Sequence, residues 1–202
     1  MSANLPLRDY QQECLDDNER DLANGDNRLM DHGATGLGKT VIMTHQANNW
    51  AKAGDRTLVI AHRKELITQT IDKFTQVAPE IPVGRVQALS GLSKSERARQ
   101  VSADNGVLVG SIASLRDPAA WAELPQIDRL IIDEAHHSAA DSYMNLMDAL
   151  GSWRGLPTIG YSATPARADK RKLGDTWKLS WQRDIRFGIE HGHLVNLRGK
   201  TI

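Results

Sequence analysis

Apolar residues fall in short clusters along the chain, and the spacing inside each cluster predicts an element. Tyr10, Cys14, Leu15 and Leu22 share one side of a polar stretch that ends near Gly25, which is helical spacing. Residues 28–32 read as a short strand and lead into a glycine-rich turn. Met43, Ala47, Trp50 and Ala51 recur at i, i+4, i+7 and i+8, a helix that stops at Gly54. Thr57–Ala61 is an unbroken apolar strand. Residues 63–78 place Leu66, Ile67, Thr70, Ile71 and Phe74 on one helical face, and Pro79 ends it. Residues 83–88, 107–110, 130–133 and Thr158–Ser162 are further strands. Ser93 with Glu96 makes a capping box for a charged helix between the first two of these. Tyr143, Leu146, Met147 and Leu150 mark a helix ended by Gly151. Trp177, Leu179 and Trp181 alternate with Lys178, Ser180 and Gln182, the period of a half-buried strand whose tryptophans suit core packing, with base stacking as the alternative. Residues 184–190 close the series as a short helix.

Strands separated by helices of this length are βαβ units. They predict an α/β fold with a mostly parallel central sheet and helices on both faces. The strands are apolar throughout rather than alternating, as strands covered on both faces should be. Asp31 and His32 depart from that rule at the end of the strand before the glycine-rich turn. The 202 residues suit one domain, 1–202. In such sheets ligands bind beyond the carboxyl ends of the strands, so chemistry is to be sought just after them.

Charge and composition narrow the classes. Lys and Arg number 25, as do Asp and Glu, so nucleic-acid binding cannot rest on overall basicity and needs a local patch. Acidic residues gather in 1–31 and basic ones in 167–202, either as solvated faces or as a basic segment facing a partner. Cys14 is the only cysteine, which leaves no internal disulfide and no cysteine zinc site. The paired histidines, His136 with His137 and His191 with His193, lack a carboxylate or cysteine at ligand spacing, so a structural zinc is not expected. There is no signal pattern at the N-terminus and no run of about 18 apolar residues. The expectation is a cytoplasmic protein with no membrane partner.

The turn after the first strand reads Gly33-Ala34-Thr35-Gly36-Leu37-Gly38-Lys39-Thr40, a full G-x-x-x-x-G-K-[ST] pattern between strand and helix. The glycines let the backbone bend around phosphates and aim its N–H groups inward, and the following helix adds its dipole. Lys39 is placed to reach the β- and γ-phosphates, and the Thr40 hydroxyl to ligate Mg²⁺. Asp133 and Glu134 directly follow a strand. Beside a phosphate loop, Asp133 can hold Mg²⁺ through water and Glu134 can polarise the attacking water, the two demands of phosphoryl transfer to water.

Taken in order, these pieces resemble the first RecA-like domain of a superfamily 2 helicase or translocase, a three-layer P-loop NTPase fold. Leu7–Gln11 resembles the adenine-recognition segment, which implies base contacts from Arg8 and Gln11. ATGLGKT resembles motif I, Ala61–Leu66 motif Ia, Val109–Leu115 the segment before motif II, DEAH at 133–136 motif II, and Tyr161–Pro165 motif III. The end of the chain, Gly188–Val195, also fits, and the RadD-like helicases and the motor part of type III restriction Res subunits are the most similar members. The resemblance implies ATP and Mg²⁺ as cofactors and coupling roles for His136, Ser162 and Thr164. It also implies nucleic-acid contacts, with DNA favoured over RNA. Arg63 and Lys64 stand at a helix N-terminus after a strand, suited to a backbone phosphate or to an ordinary charged first turn. Arg85 and Ser114 are weaker candidates for the same role. The arginine-finger pattern Q-x-x-G-R-x-x-R of the family's second RecA-like domain is not in the sequence, so full activity is expected to need that domain in cis or in trans. Three functions stay open: the ATP-hydrolysing half of a helicase, a nucleic-acid module that binds ATP without turnover, and a nucleotide-dependent interaction protein.

Overall fold

The computed structural model describes residues 6–61, 64–86, 106–116, 118–121, 124–164 and 176–195. Helix α1 (Asp9–Ala23) leads to strand β1 (Arg28–Gly33), α2 (Lys39–Lys52), β2 (Thr57–Ala61), α3 (Lys64–Val77), β3 (Val83–Val86) and β4 (Val107–Ser111). Then follow the short α4 (Pro118–Trp121), β5 (Arg129–Asp133), a 3₁₀ turn (Ala135–His137) and α5 (Asp141–Leu150). A second 3₁₀ turn (Ser152–Arg154), β6 (Thr158–Ser162), β7 (Lys178–Arg183) and α6 (Ile185–Glu190) complete the order. The capping box at Ser93 and Glu96, residues 87–88 of the expected third strand, and Arg63 lie outside the described residues.

Seven strands form one sheet in the order β3-β4-β2-β5-β6-β1-β7, and every described pairing is parallel. The unbroken apolar runs serve both faces. Val59, Val109, Ile131 and Ile159 meet α1, α2 and α3 on one side. Their neighbours Leu58, Ile60, Leu108, Leu130 and Ile132 meet Tyr143, Leu146 and Met147 of α5 on the other. Each fully buried Leu or Ile contributes about 1.5–3 kcal/mol by leaving water, so a doubly covered strand is held far more strongly than its hydrogen bonds alone would hold it. On β6, Gly160 makes room for the second layer. A Cβ there would sit 2.6 Å from the Ala135 Cβ and 3.2 Å from the Trp177 ring.

The alternation expected at Trp177, Leu179 and Trp181 breaks. Both tryptophans are buried, but Leu179 is 54% exposed. On the neighbouring strand Met30 pairs with Leu179 and Asp31 with Trp181, so Ser180 is an extra, unpaired residue. This bulge moves everything after it to the opposite face. Trp177 therefore packs with α5 and donates to Ser138 Oγ at 2.9 Å, whereas Trp181 packs against α1 with its ring stacked 6.4 Å from Tyr10.

Candidate nucleotide-binding site

The 33–40 loop leaves β1 at the carboxyl edge of the sheet and enters α2. Gly36 and Gly38 both take positive φ, 91° and 79°. Gly38 is the N-cap of α2, and no side chain caps that helix, which leaves its first N–H groups directed at the loop. A Cβ on Gly38 would lie 2.5 Å from Gln11 Nε2. The loop is clamped from α1. Tyr10 Oη and Gln11 Nε2 each donate to the Leu37 carbonyl at 3.0 Å, and Gln11 Oε1 accepts from Arg8 N at 3.0 Å. Lys39 folds back to donate to the Gly33 carbonyl at 2.9 Å.

Asp133 ends β5, and only β6 separates β5 from β1. Registers run from Asp133 through Tyr161 to Asp31, so the two strand ends stand about 10 Å apart at ordinary strand spacing. The charges there feel one another. Burial lowers the Lys39 pKa, and Glu134 and Asp133 oppose that shift. Burial, then the Glu134 charge, pushes Asp133 up to about 6, with the Glu134 N–H and Lys39 pulling the other way. Asp133 Oδ1 accepts from Glu134 N at 3.0 Å. Glu134 is the one non-glycine at positive φ among the described residues, 52°, a left-handed turn that re-aims its side chain as the chain leaves the strand.

From Glu134 the hydrogen bonds run into the 162–164 loop. His136 Nδ1 lies 3.3 Å from Glu134 Oε2 and 3.0 Å from Ser162 Oγ. Ser162 Oγ donates to the Thr164 carbonyl at 3.1 Å and accepts from Thr164 N at 3.2 Å. Because that hydroxyl's hydrogen goes to Thr164, His136 must donate, which puts the imidazole hydrogen on Nδ1.

Next to the loop is an open cleft of about 650 Å³ whose lining includes Arg8, Tyr10, Glu13, Phe187, His191 and His193. The Tyr10 ring is 4.7 Å from His193 and 5.5 Å from Phe187, and Arg8 Nη1 donates to Tyr10 Oη at 3.3 Å. The histidine pairs thus lie at two separate places. Among the described residues no cluster of three or more His, Cys, Asp or Glu side chains could hold a metal on its own.

Of the nucleic-acid candidates, Lys64 and Ser114 follow β2 and β4 on the other half of the same edge, and Arg85 lies within β3. Lys64 begins α3 after β2, though its side chain, like Arg63, is outside the described set. Arg85 on β3 donates to Thr68 Oγ1 at 3.0 Å. Ser114, after β4, is 8% exposed, and its hydroxyl meets Ser111 Oγ at 2.9 Å. Sequence reasoning missed the Tyr10 clamp and the ring cluster of α6, since neither belongs to a contiguous motif. It also missed Tyr143, whose hydroxyl burial and the nearby Asp133 and Glu134 push up to about 12. The two residues that broke the apolar rule of β1 have partners. Asp31 Oδ2 accepts from Asn18 Nδ2 at 2.7 Å and Cys14 Sγ at 3.2 Å, and His32 Nε2 meets the Ala163 carbonyl at 3.2 Å.

The fold and these loops have counterparts in known proteins. A family model described as "Type III restriction enzyme, res subunit" matches residues 4–167. The putative ATP-dependent helicase IRC3 of Saccharomyces cerevisiae is 33% identical over 97% of this chain and 29% of its own length. A putative mitochondrial ATP-dependent helicase of Schizosaccharomyces pombe is 32% identical over 84% of this chain and 28% of its own length. The chain thus spans less than a third of these relatives. Among solved structures, the type ISP restriction-modification enzyme LlaGI with a DNA substrate mimic superposes at a TM-score of 0.71, with 18% identity, 93% of this chain and 21% of that one. The Sulfolobus solfataricus SWI2/SNF2 ATPase core with double-stranded DNA gives 0.65, with 17% identity, 85% of this chain and 35% of that one. No helix among the described residues is long and apolar enough to cross a membrane. A complete G-x-x-x-x-G-K-[ST] loop, an acidic strand end one strand away and a seven-strand parallel sheet arrive together, and the chain belongs to the type III restriction enzyme res subunit family, with the RecA-like fold of the superfamily 2 helicases.

Proposed function

We propose that residues 1–202 form one RecA-like ATP-binding domain, the ATP-hydrolysing half of a DNA helicase or translocase. The observation that carries the reading is the placement of the 33–40 loop and of Asp133–Glu134 at the same carboxyl edge of the sheet, with only β6 between their strands. There Glu134 and Asp133 oppose the burial that lowers the Lys39 pKa. The residues fit a triphosphate. The backbone of 33–38 and the uncapped start of α2 accept the phosphates, and Lys39 leaves the Gly33 carbonyl to neutralise the β,γ region. The adenine takes the cleft between Arg8, Tyr10 and the α6 rings, while Gln11 holds the loop to that cleft.

A Mg²⁺ ion fits as well, because burial and then the neighbouring Glu134 charge raise Asp133, and a cation beside the two carboxylates would favour their ionised forms. Thr40 and Asp133 would hold it, with water and phosphate oxygens completing its shell, and it would neutralise charge on the phosphates. Glu134 orients and deprotonates the attacking water, held in its left-handed turn and braced by His136. His136, Ser162 and Thr164 pass the state of the site to the loop after β6. Arg63, Lys64, Arg85 and Ser114 contact nucleic acid along the β2–β4 half of the edge. The DNA in the two structural neighbours favours DNA as the partner. A second RecA-like domain, in cis or in trans, supplies the arginine fingers.

The test separates affinity from turnover in the full-length protein. Lys39→Ala is expected to lose ATP affinity. Glu134→Gln is expected to keep ATP affinity and lose hydrolysis by at least about a hundredfold. Equal loss of both quantities in both variants contradicts the assignment. Unimpaired binding with no hydrolysis in the unsubstituted protein points instead to a module that binds ATP without turnover.

A further inference from the structure

We propose that His32 is a positioning residue for hydrolysis: its imidazole holds the Ala163 carbonyl and so sets the 162–164 loop against the phosphate loop. The proposal rests on the nucleotide reading above. His32 is the last side chain of β1 before the loop glycine, and it is buried. The ladder between β1 and β6 ends where His32 pairs with Ser162. Ala163 is therefore the first residue past the ladder, and its carbonyl receives His32 Nε2 at 3.2 Å. A carbonyl only accepts, so this bond fixes the hydrogen on Nε2. A buried imidazole without a partner would cost free energy that an apolar residue in the same strand would avoid, so the bond is what makes a histidine tolerable there.

Two short connections follow from that one bond. On the strand side, the next residue is Gly33, whose carbonyl accepts from Lys39 at 2.9 Å. On the loop side, Ala163 lies between Ser162 and Thr164, and Ser162 holds His136, which lies 3.3 Å from Glu134. A movement of the phosphate loop is thereby carried through side-chain and backbone bonds to the carboxylate that orients water. His32 is buried with its Nε2 engaged by the Ala163 carbonyl, so its effect is expected on turnover, through the 162–164 loop, rather than on affinity.

The experiment compares His32→Leu with His32→Gln in the full-length protein, measuring nucleotide Kd, kcat and melting temperature. Leu removes the donor, and Gln keeps an N–H at about the reach of Nε2. We expect kcat to fall about tenfold in His32→Leu with Kd within about twofold of the parent, and His32→Gln to restore most of kcat. If His32→Leu loses its cooperative melt, His32→Asn takes its place with the same expectation, being polar but too short to reach Ala163. An unchanged kcat overturns the proposal. So does a fall in Kd, kcat and melting temperature together that Gln does not rescue, since that is a packing role. Nucleotide binding and turnover that are intact but indifferent to His32 overturn this inference alone. Absence of nucleotide binding in the unsubstituted protein overturns the parent reading and this one with it.

Discussion

Asp31 is a carboxyl group that is 1% exposed on β1, between β6 and the edge strand β7 of a parallel sheet. Burial pushes its pKa up to about 7, against the hydrogen bonds from Asn18 and Cys14 that pull it down. In the unfolded chain it titrates near ~3.9. Between those values the folded state keeps a proton that the unfolded state gives up. The stability tied to this group is therefore complete below about pH 4 and lost as pH rises through 7. Asn at this position still accepts from Asn18 and cannot ionise. Asp31→Asn is expected to gain in melting temperature relative to the parent as pH rises from 5 to 8. A difference between the two proteins that stays constant over that range contradicts the burial argument. Asp31, His32 and Glu134 each break a local rule, and all three lie at or near the strand ends that flank the candidate nucleotide site.

Among the elements, β7 shows where a sequence pattern fails and why. Alternation in one strand is visible in that strand, but a bulge is a property of two strands in register, and the partner of β7 is β1, far off in the chain. The extra residue Ser180 sends Trp181 under α1 and leaves Leu179 in solvent. Deleting Ser180 is expected to turn Trp181 out of its site and destabilise the fold by about 3–5 kcal/mol, the cost of losing a buried tryptophan. Leu179→Ser is expected to change stability by less than about 0.5 kcal/mol. Denaturant unfolding of both variants checks the pair, and comparable losses in the two would mean that Leu179 is not outside the core. The apolar runs of β2, β4, β5 and β6 were legible because each is continuous and needs no partner to be recognised. The 33–40 and 133–136 segments were legible as strand-to-loop junctions because each is contiguous in the chain. The Tyr10 clamp, the α6 rings and the His32 bond were not, because each joins residues from separate elements and no spacing announces it.

Among the described residues of the whole molecule, part of the uneven charge answers itself. The acidic first helix faces the basic last strand: Glu13 pairs with Arg183, and Lys178 lies 3.3 Å from Asp21 and 2.6 Å from Asp26. These pairs at the protein surface are worth little each, but they leave fewer described cations free for a polyanion, so nucleic acid is expected on the β2–β4 half of the edge. The proposed nucleotide half is β5, β6 and β1. If a second RecA-like domain closes over it with an arginine finger, turnover is expected to rise by about 10³–10⁵ when that domain is supplied to this chain. Turnover that is the same with and without it contradicts the split of labour. The central claim is that Lys39 and Asp133 serve one Mg²⁺–triphosphate pocket. It is tested most directly by ATP affinity measured with and without Mg²⁺ in the parent, Lys39→Ala and Asp133→Asn. The expected result is weak binding by Lys39→Ala in both conditions, and loss in Asp133→Asn of the roughly tenfold or greater gain that Mg²⁺ gives the parent. An Asp133→Asn protein that keeps the full Mg²⁺ dependence would contradict the account.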